Sequence, residues 1–149
     1  MTHRDVKLIT IAKIDIMKGM VDADLNSLSK ILLDNYHNKF ECEVESTYFE
    51  DSICPSNHIV DDIIEQIQID FNAATGEKIT PLNYWGHIHE KNMSTNMHNH
   101  NDTYVSAVVY VEVPEGSGSI VFRPRLNQYV YTAYSSKFQP KRGVYYIFP

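Results

Sequence analysis

The sequence lacks the features that mark secreted, membrane-spanning and nucleic-acid-binding proteins. It holds two cysteines in 149 residues, Cys42 and Cys54, too few for a disulfide framework, so we expect reduced thiols and a cytoplasmic protein. The longest apolar run, residues 107–111, is far shorter than the about 20 residues that span a bilayer, and no apolar signal segment follows the N-terminus. Lys and Arg total 13 against 19 for Asp and Glu, and the net charge of −6 disfavours a nucleic-acid partner.

What the sequence does have is the composition of one globular domain. Hydrophobic residues make up 43% and charged residues 21%, close to the averages for soluble domains. No linker or internal repeat divides the chain. We therefore expect a single domain over residues 1–149, with an N-terminal support region over 1–80 and a β-rich core over 81–149.

Two helices are predicted in the N-terminal half, after a β-branched strand over residues 6–16. The first follows Asp22 or Asp24, either of which can cap it. The second begins at Asn57 or the serine before it and stops at Gly76. Apolar residues recur at helical spacing in both, so we interpret the helices as packing elements without chemistry. These residues are Leu25, Leu28, Ile31, Leu32, Tyr36, Ile59, Ile63, Ile64, Ile67 and Phe71.

After Pro81 the pattern changes to short β segments. Tyr84 to Glu90 alternates, with a tryptophan and two histidines on one side. Further strands are predicted over residues 104–113, 119–122, 128–134 and 144–148. Short strands at this spacing indicate an antiparallel sandwich or jelly roll, so the expected fold is mainly β with N-terminal helices that brace one face of the sheet. Trp85 is expected to be a core residue.

Histidines cluster in the middle of this region. Four of the seven fall between residues 87 and 100, as the pairs His87-Ile88-His89 and His98-Asn99-His100. In an extended segment residues i and i+2 face the same way, so the imidazoles of a pair can converge on one ion. Imidazole suits Fe(II), Zn, Cu and Ni. Spacing alone leaves a second interpretation open, in which the rings are half-buried and hydrogen-bonded to neighbours.

Spaced motifs over the 65 residues from Trp85 to Pro149 carry a resemblance to a known family. They are Asn96-Met97-His98-Asn99-His100, Ser106-Ala107-Val108-Val109-Tyr110-Val111, Pro114-Glu115-Gly116-Ser117-Gly118, Phe122-Arg123-Pro124-Arg125, the stretch 140–143 and Ile147-Phe148-Pro149. In this order they resemble the 2-oxoglutarate/Fe(II)-dependent oxygenases related to prolyl hydroxylases, of the type common in marine bacteria and their phages.

The resemblance implies a double-stranded β-helix, or jelly roll, that holds Fe(II) and uses 2-oxoglutarate to hydroxylate a substrate that the sequence does not identify. His98 and His100 match the first two iron ligands of that family. For His87 and His89 we expect the hydrogen-bonded, non-ligand role. Tyr110 is a candidate hydrogen-bond donor to the distal carboxylate of 2-oxoglutarate, and ordinary sheet packing is the alternative. For a phage-encoded protein, the compartment would be the host cytoplasm.

The sequence also departs from the family pattern. The family has a third ligand histidine shortly after the Phe-Pro motif and a basic residue beyond it, whereas no histidine follows His100 here. We therefore expect the gene product to continue past Pro149. The main alternative is a non-catalytic jelly-roll module for binding or assembly, such as a phage structural protein, in which a second copy or another partner completes the C-terminal strand. A cupin-like site built from all four histidines ranks lowest, because the usual glutamate is absent.

Overall fold

The computed structural model describes residues 14–36, 57–81, 84–100, 103–123 and 135–149. The elements in these ranges are β1 (Met17–Met20), α1 (Leu25–Tyr36), α2 (His58–Thr75), β2 (Ser106–Val109), β3 (Ile120–Phe122), β4 (Ser136–Phe138) and β5 (Val144–Phe148). The strand predicted over 128–134, both cysteines and most of the strand predicted over 6–16 lie outside the described residues.

Both helices begin and end close to the predicted positions, because their caps are encoded locally. The Asp24 carboxylate accepts hydrogen bonds from the backbone N–H of Ser27 at 3.1 Å and from its hydroxyl at 2.7 Å. The Asn57 side chain accepts from the N–H of Val60 at 3.1 Å, and Gly76 ends α2 in the left-handed region at φ 78°. Within the described ranges, neither helix has the length and apolar character that crossing a bilayer requires.

The larger sheet has three antiparallel strands in the order β1-β5-β2. Its register places Gly19 beside Tyr145 and Lys18 beside Tyr146, while Val108 flanks Tyr146 from β2. Because β5 is hydrogen-bonded on both edges, no partner strand can be added to it along these residues. Docking of a second copy or another partner at the C-terminal strand stays a prediction, as does oligomerisation.

The main core lies between the helices and one face of this sheet. Side chains on a strand alternate between faces, so Tyr145 and Ile147, each 2% exposed, point toward the helices. The residues buried with them are Val21, Leu28, Leu32, Ile59, Val60, Ile63, Ile67 and Phe71. Burial of each large apolar side chain contributes about 1.5–3 kcal/mol. The predicted bracing role of the helices is therefore confirmed.

The opposite face of β5 is covered by the second sheet, the antiparallel pair β3–β4. The Tyr146 ring lies 5.5 Å from that of Phe138 and 6.1 Å from that of Phe122, measured between ring centroids. The Phe122 and Phe148 rings are 4.9 Å apart. The described part of the chain is thus mainly β, with two small antiparallel sheets and two helices, and its strands close no barrel.

Tyr145 connects the sheet to α2 across a glycine. A Cβ atom on Gly19 would overlap Cζ and the hydroxyl of Tyr145, so the aromatic ring covers this residue directly. The hydroxyl donates a hydrogen bond of 2.5 Å to the Asp70 carboxylate on α2. Burial, followed by this bond and the nearby negative charge, raises the pKa of Tyr145. A larger residue at position 19 would force the Tyr145 ring to move, because the ring occupies the space of a side chain.

Candidate metal centre

Residues 84–90 form an extended segment in which side chains alternate as predicted. Tyr84 and Ile88 pack against the main core, whereas Trp85, His87 and His89 are exposed on the other side. The segment joins neither sheet among the described residues, so the predicted strand is wrong although its alternation is confirmed. Because Tyr84 and Ile88 face the core, the tryptophan and both histidines lie together on the side of the segment that faces solvent.

The structure brings His98 and His100 together. Their ring centroids are 5.0 Å apart in an edge-to-face arrangement. The Nδ1 atom of His98 lies 2.8 Å from the backbone carbonyl oxygen of Asn96. A carbonyl only accepts hydrogen bonds, so Nδ1 carries the proton and the neutral ring has its lone pair on Nε2. Histidines that bind metals are commonly held in this way, with one nitrogen donating to a carbonyl and the other facing the ion.

His100 packs against the face of Trp85. The two ring centroids are 5.8 Å apart and the planes are tilted by 41°. Partial burial of the imidazole, and then the neighbouring His98, lower the pKa of His100 below its usual value. The neutral form, which is the form that binds metals, is therefore favoured near neutral pH.

The first histidine pair makes side-chain hydrogen bonds instead. The indole N–H of Trp85 donates to His87 Nε2 at 2.7 Å, and His89 Nε2 lies 2.8 Å from the Thr95 hydroxyl oxygen. The two imidazoles are stacked with centroids 6.1 Å apart. Burial of the His87 ring, followed by the proximity of His89 and His98, lowers its pKa. The expectation that this pair is hydrogen-bonded to neighbours is confirmed. Each residue as a whole is exposed, while the ring of His87 is partly shielded from water.

Trp85 is the residue that the sequence interpretation misplaced. It is 38% exposed and does not belong to the core. Its ring contacts His87 from the first pair and His100 from the second. The phase of the alternation already placed Trp85 on the side of His87 and His89, and this was the signal that could have assigned it to the histidine cluster.

Tyr110 directly follows β2 and packs beside β5. Its backbone N–H donates to the carbonyl of Val144 at 3.0 Å, and its ring meets that of Tyr146 at 6.3 Å. Burial, and then Tyr146, raise the pKa of Tyr110 to about 12, so its hydroxyl stays protonated at neutral pH. Within the described residues its ring contacts Tyr146 and neither His98 nor His100. Its observed environment is sheet packing.

The described residues contain no group of three His, Cys, Asp or Glu side chains placed to hold a metal ion together. In this part of the chain His98 and His100 therefore lie together without a third such side chain placed to hold an ion with them. Comparisons with protein-family models, with curated proteins and with solved structures give no match.

Proposed function

We propose that the protein is an Fe(II)/2-oxoglutarate-dependent dioxygenase that hydroxylates a substrate still to be identified, with His98 and His100 as two iron ligands. The observation that carries the proposal is the pairing of these rings at 5.0 Å, with the proton of His98 fixed on Nδ1 by the Asn96 carbonyl. Two imidazoles with one carboxylate or a further imidazole are a donor set that suits Fe(II) and leaves positions open for other ligands. The donor chemistry of the pair fits this metal.

The fold supports the same proposal at a coarser level. Two antiparallel sheets pack face to face through Phe122, Phe138 and Tyr146, as expected of part of a double-stranded β-helix. In the sequence the histidine segment precedes β2, and this is the motif order of the resembling family. In that family the third ligand follows the Phe-Pro motif, which stands here at Phe148-Pro149.

Iron and 2-oxoglutarate, when bound, supply the oxidising chemistry that inserts oxygen into a C–H bond. The residues of this chain prepare the site for them. The Asn96 carbonyl holds His98 with its lone pair on Nε2, and partial burial lowers the pKa of His100, which favours its neutral form. The Tyr110 hydroxyl is proposed to donate a hydrogen bond to the distal carboxylate of 2-oxoglutarate. Its raised pKa suits this role, because the hydroxyl stays protonated.

The proposal is tested by anaerobic dialysis of 2-oxoglutarate against the full gene product, with and without Fe(II). We expect binding that depends on the metal, since the keto acid chelates the iron, and succinate formation once oxygen is admitted. His98→Ala and His100→Ala should abolish both. His58→Ala is the matched control, because His58 is an exposed histidine at the start of α2 and should leave both unchanged.

Two outcomes would contradict the proposal. Binding of 2-oxoglutarate that is absent, or that does not require Fe(II), would favour the non-catalytic jelly-roll module for binding or assembly. Unchanged succinate formation by His98→Ala would remove that residue from the site.

A further inference from the structure

Trp85 contacts one histidine from each of the two pairs. The indole N–H donates to His87 Nε2 at 2.7 Å, with the two rings nearly perpendicular at 89°. The face of the same indole lies 5.8 Å from the His100 ring. An indole has one donor and no acceptor, so its rotation about the side-chain bonds is set by where it finds an acceptor. His87 supplies that acceptor.

The same bond determines what His87 can do. Because Nε2 accepts the indole proton, the neutral ring carries its own proton on Nδ1. While the bond holds, Nε2 is engaged and is not a metal ligand. His87 is therefore arranged to hold Trp85, although it has the same His-x-His spacing as the pair His98 and His100.

We propose that Trp85 is a positioning residue for His100, held in place by His87, and that together they fix the imidazole in the orientation that binds the metal. This inference rests on the proposed function of the His98 and His100 pair. His98 is oriented by a backbone carbonyl, whereas the flat face of Trp85 restricts the rotation of the neighbouring ligand. Groups that orient metal ligands in this way typically contribute 10- to 100-fold to metal affinity.

The test is a titration of the full gene product with Co(II), whose affinity is read from the visible absorption of the bound ion. Trp85→Phe keeps an aromatic ring but loses the N–H, and His87→Ala loses the acceptor. We expect each to bind Co(II) about 10- to 100-fold more weakly. His87→Gln retains an acceptor oxygen and should recover most of the affinity. His89→Ala is the matched control, because His89 lies on the same side of the segment but bonds to Thr95, and should bind as the unaltered protein does.

A second readout separates positioning from loss of structure. Trp85 is the only tryptophan of the sequence, so its fluorescence reports on this site alone. Co(II) at the histidine pair should quench it in the unaltered protein and in His89→Ala at the same ion concentration, and in His87→Ala only at a higher one. Urea unfolding should give equal free energies of unfolding for these variants, since Trp85 and His87 are exposed.

The failures are distinguishable. If the unaltered protein binds no Co(II), the proposed function fails and this inference fails with it. If it binds Co(II) and Trp85→Phe and His87→Ala bind equally tightly, this inference alone is overturned. Weakened binding that tracks a lowered free energy of unfolding, or that His87→Gln does not recover, would also overturn it, because the two residues would then only support the fold.

Discussion

The helix–sheet core and the histidine segment are organised by different forces. In the core, Tyr145 and Ile147 lie on a strand paired on both edges and are almost fully buried. Between residues 84 and 100 the backbone joins neither sheet, and the histidines are placed by individual hydrogen bonds to Asn96, Thr95 and Trp85. A bond of this kind contributes about 0.5–1.5 kcal/mol, less than the burial of one large apolar side chain. Stability and site geometry should therefore respond to different substitutions.

The largest effect on stability is expected for Tyr146→Ala. Tyr146 is 1% exposed and its ring meets those of Phe122, Phe138 and Tyr110, so truncation opens a cavity between the two sheets. The free energy of unfolding should fall by about 3–5 kcal/mol, measured by urea denaturation. Tyr104→Ala is the control, because Tyr104 is 71% exposed and its loss should leave the free energy of unfolding nearly unchanged. Equal losses in the two variants would contradict the packing of the sheets.

A smaller loss is expected for Gly19→Ala. The new methyl group would overlap the Tyr145 ring, so the ring must move and its bond to Asp70 is disturbed. We expect a destabilisation of about 1–3 kcal/mol in the same assay. Gly118→Ala is the matched control, since a Cβ there meets nothing within 4 Å, and it should be neutral. A neutral Gly19→Ala would show that the ring does not cover β1.

The third prediction concerns alkaline pH. A tyrosine has a pKa of about 10 when unfolded, and burial raises that of Tyr110 to about 12 in the folded chain. The folded state thus retains the proton longer, and this contribution to stability is complete below pH 10 and lost as the pH rises to about 12. Over this window the free energy of unfolding of Tyr110→Phe should decline less steeply with pH than that of the unaltered protein. The difference should stay below the limit of about 1.4 kcal/mol per pH unit, because Tyr110 is only partly buried and solvent screens it. An unchanged slope in urea denaturation at several pH values would contradict it.

The smallest effect on stability is expected at the proposed metal site. His98→Ala and His100→Ala remove side chains at the surface and should change the free energy of unfolding by less than about 0.5 kcal/mol without metal. Added Co(II) should stabilise the unaltered protein by about 2.7 kcal/mol at a free concentration 100 times the dissociation constant, and neither variant. A large loss of stability without metal would show that the histidines belong to the core, and the comparison of the two regions would fail.

The parts of the fold that the sequence predicted are those set by neighbouring residues. Asp24, Asn57 and Gly76 cap or end the helices through bonds within a few positions, so both helices were predictable. Strand limits depend on distant partners. The strand predicted over 104–113 is observed only at 106–109, because the Val111 carbonyl accepts from the Arg142 guanidinium at 3.1 Å instead of continuing the ladder. Strand β4 (Ser136–Phe138) is short and mostly polar, so its sequence does not indicate a strand. It is a strand because it pairs with β3.

The candidate site was predictable in part for the same reason. The i, i+2 spacing predicted that His98 and His100 lie close together, and the alternation predicted that His87 and His89 lie on the same side of the extended segment. Spacing did not reveal which pair keeps a nitrogen available for a metal, because that depends on the path of the loop to Asn96 and on the orientation of Trp85. The expectation that Trp85 is buried was wrong. Its ring is exposed and packs against His87 and His100 instead of the core.

The most direct test of the proposed metal centre is an anaerobic calorimetric titration of the full gene product with Fe(II). The unaltered protein and His58→Ala should bind Fe(II) stoichiometrically, and the double substitution of His98 and His100 by Ala should show no binding heat. Binding that is absent from the unaltered protein, or that persists in the double variant, would contradict the assignment of these two histidines as iron ligands.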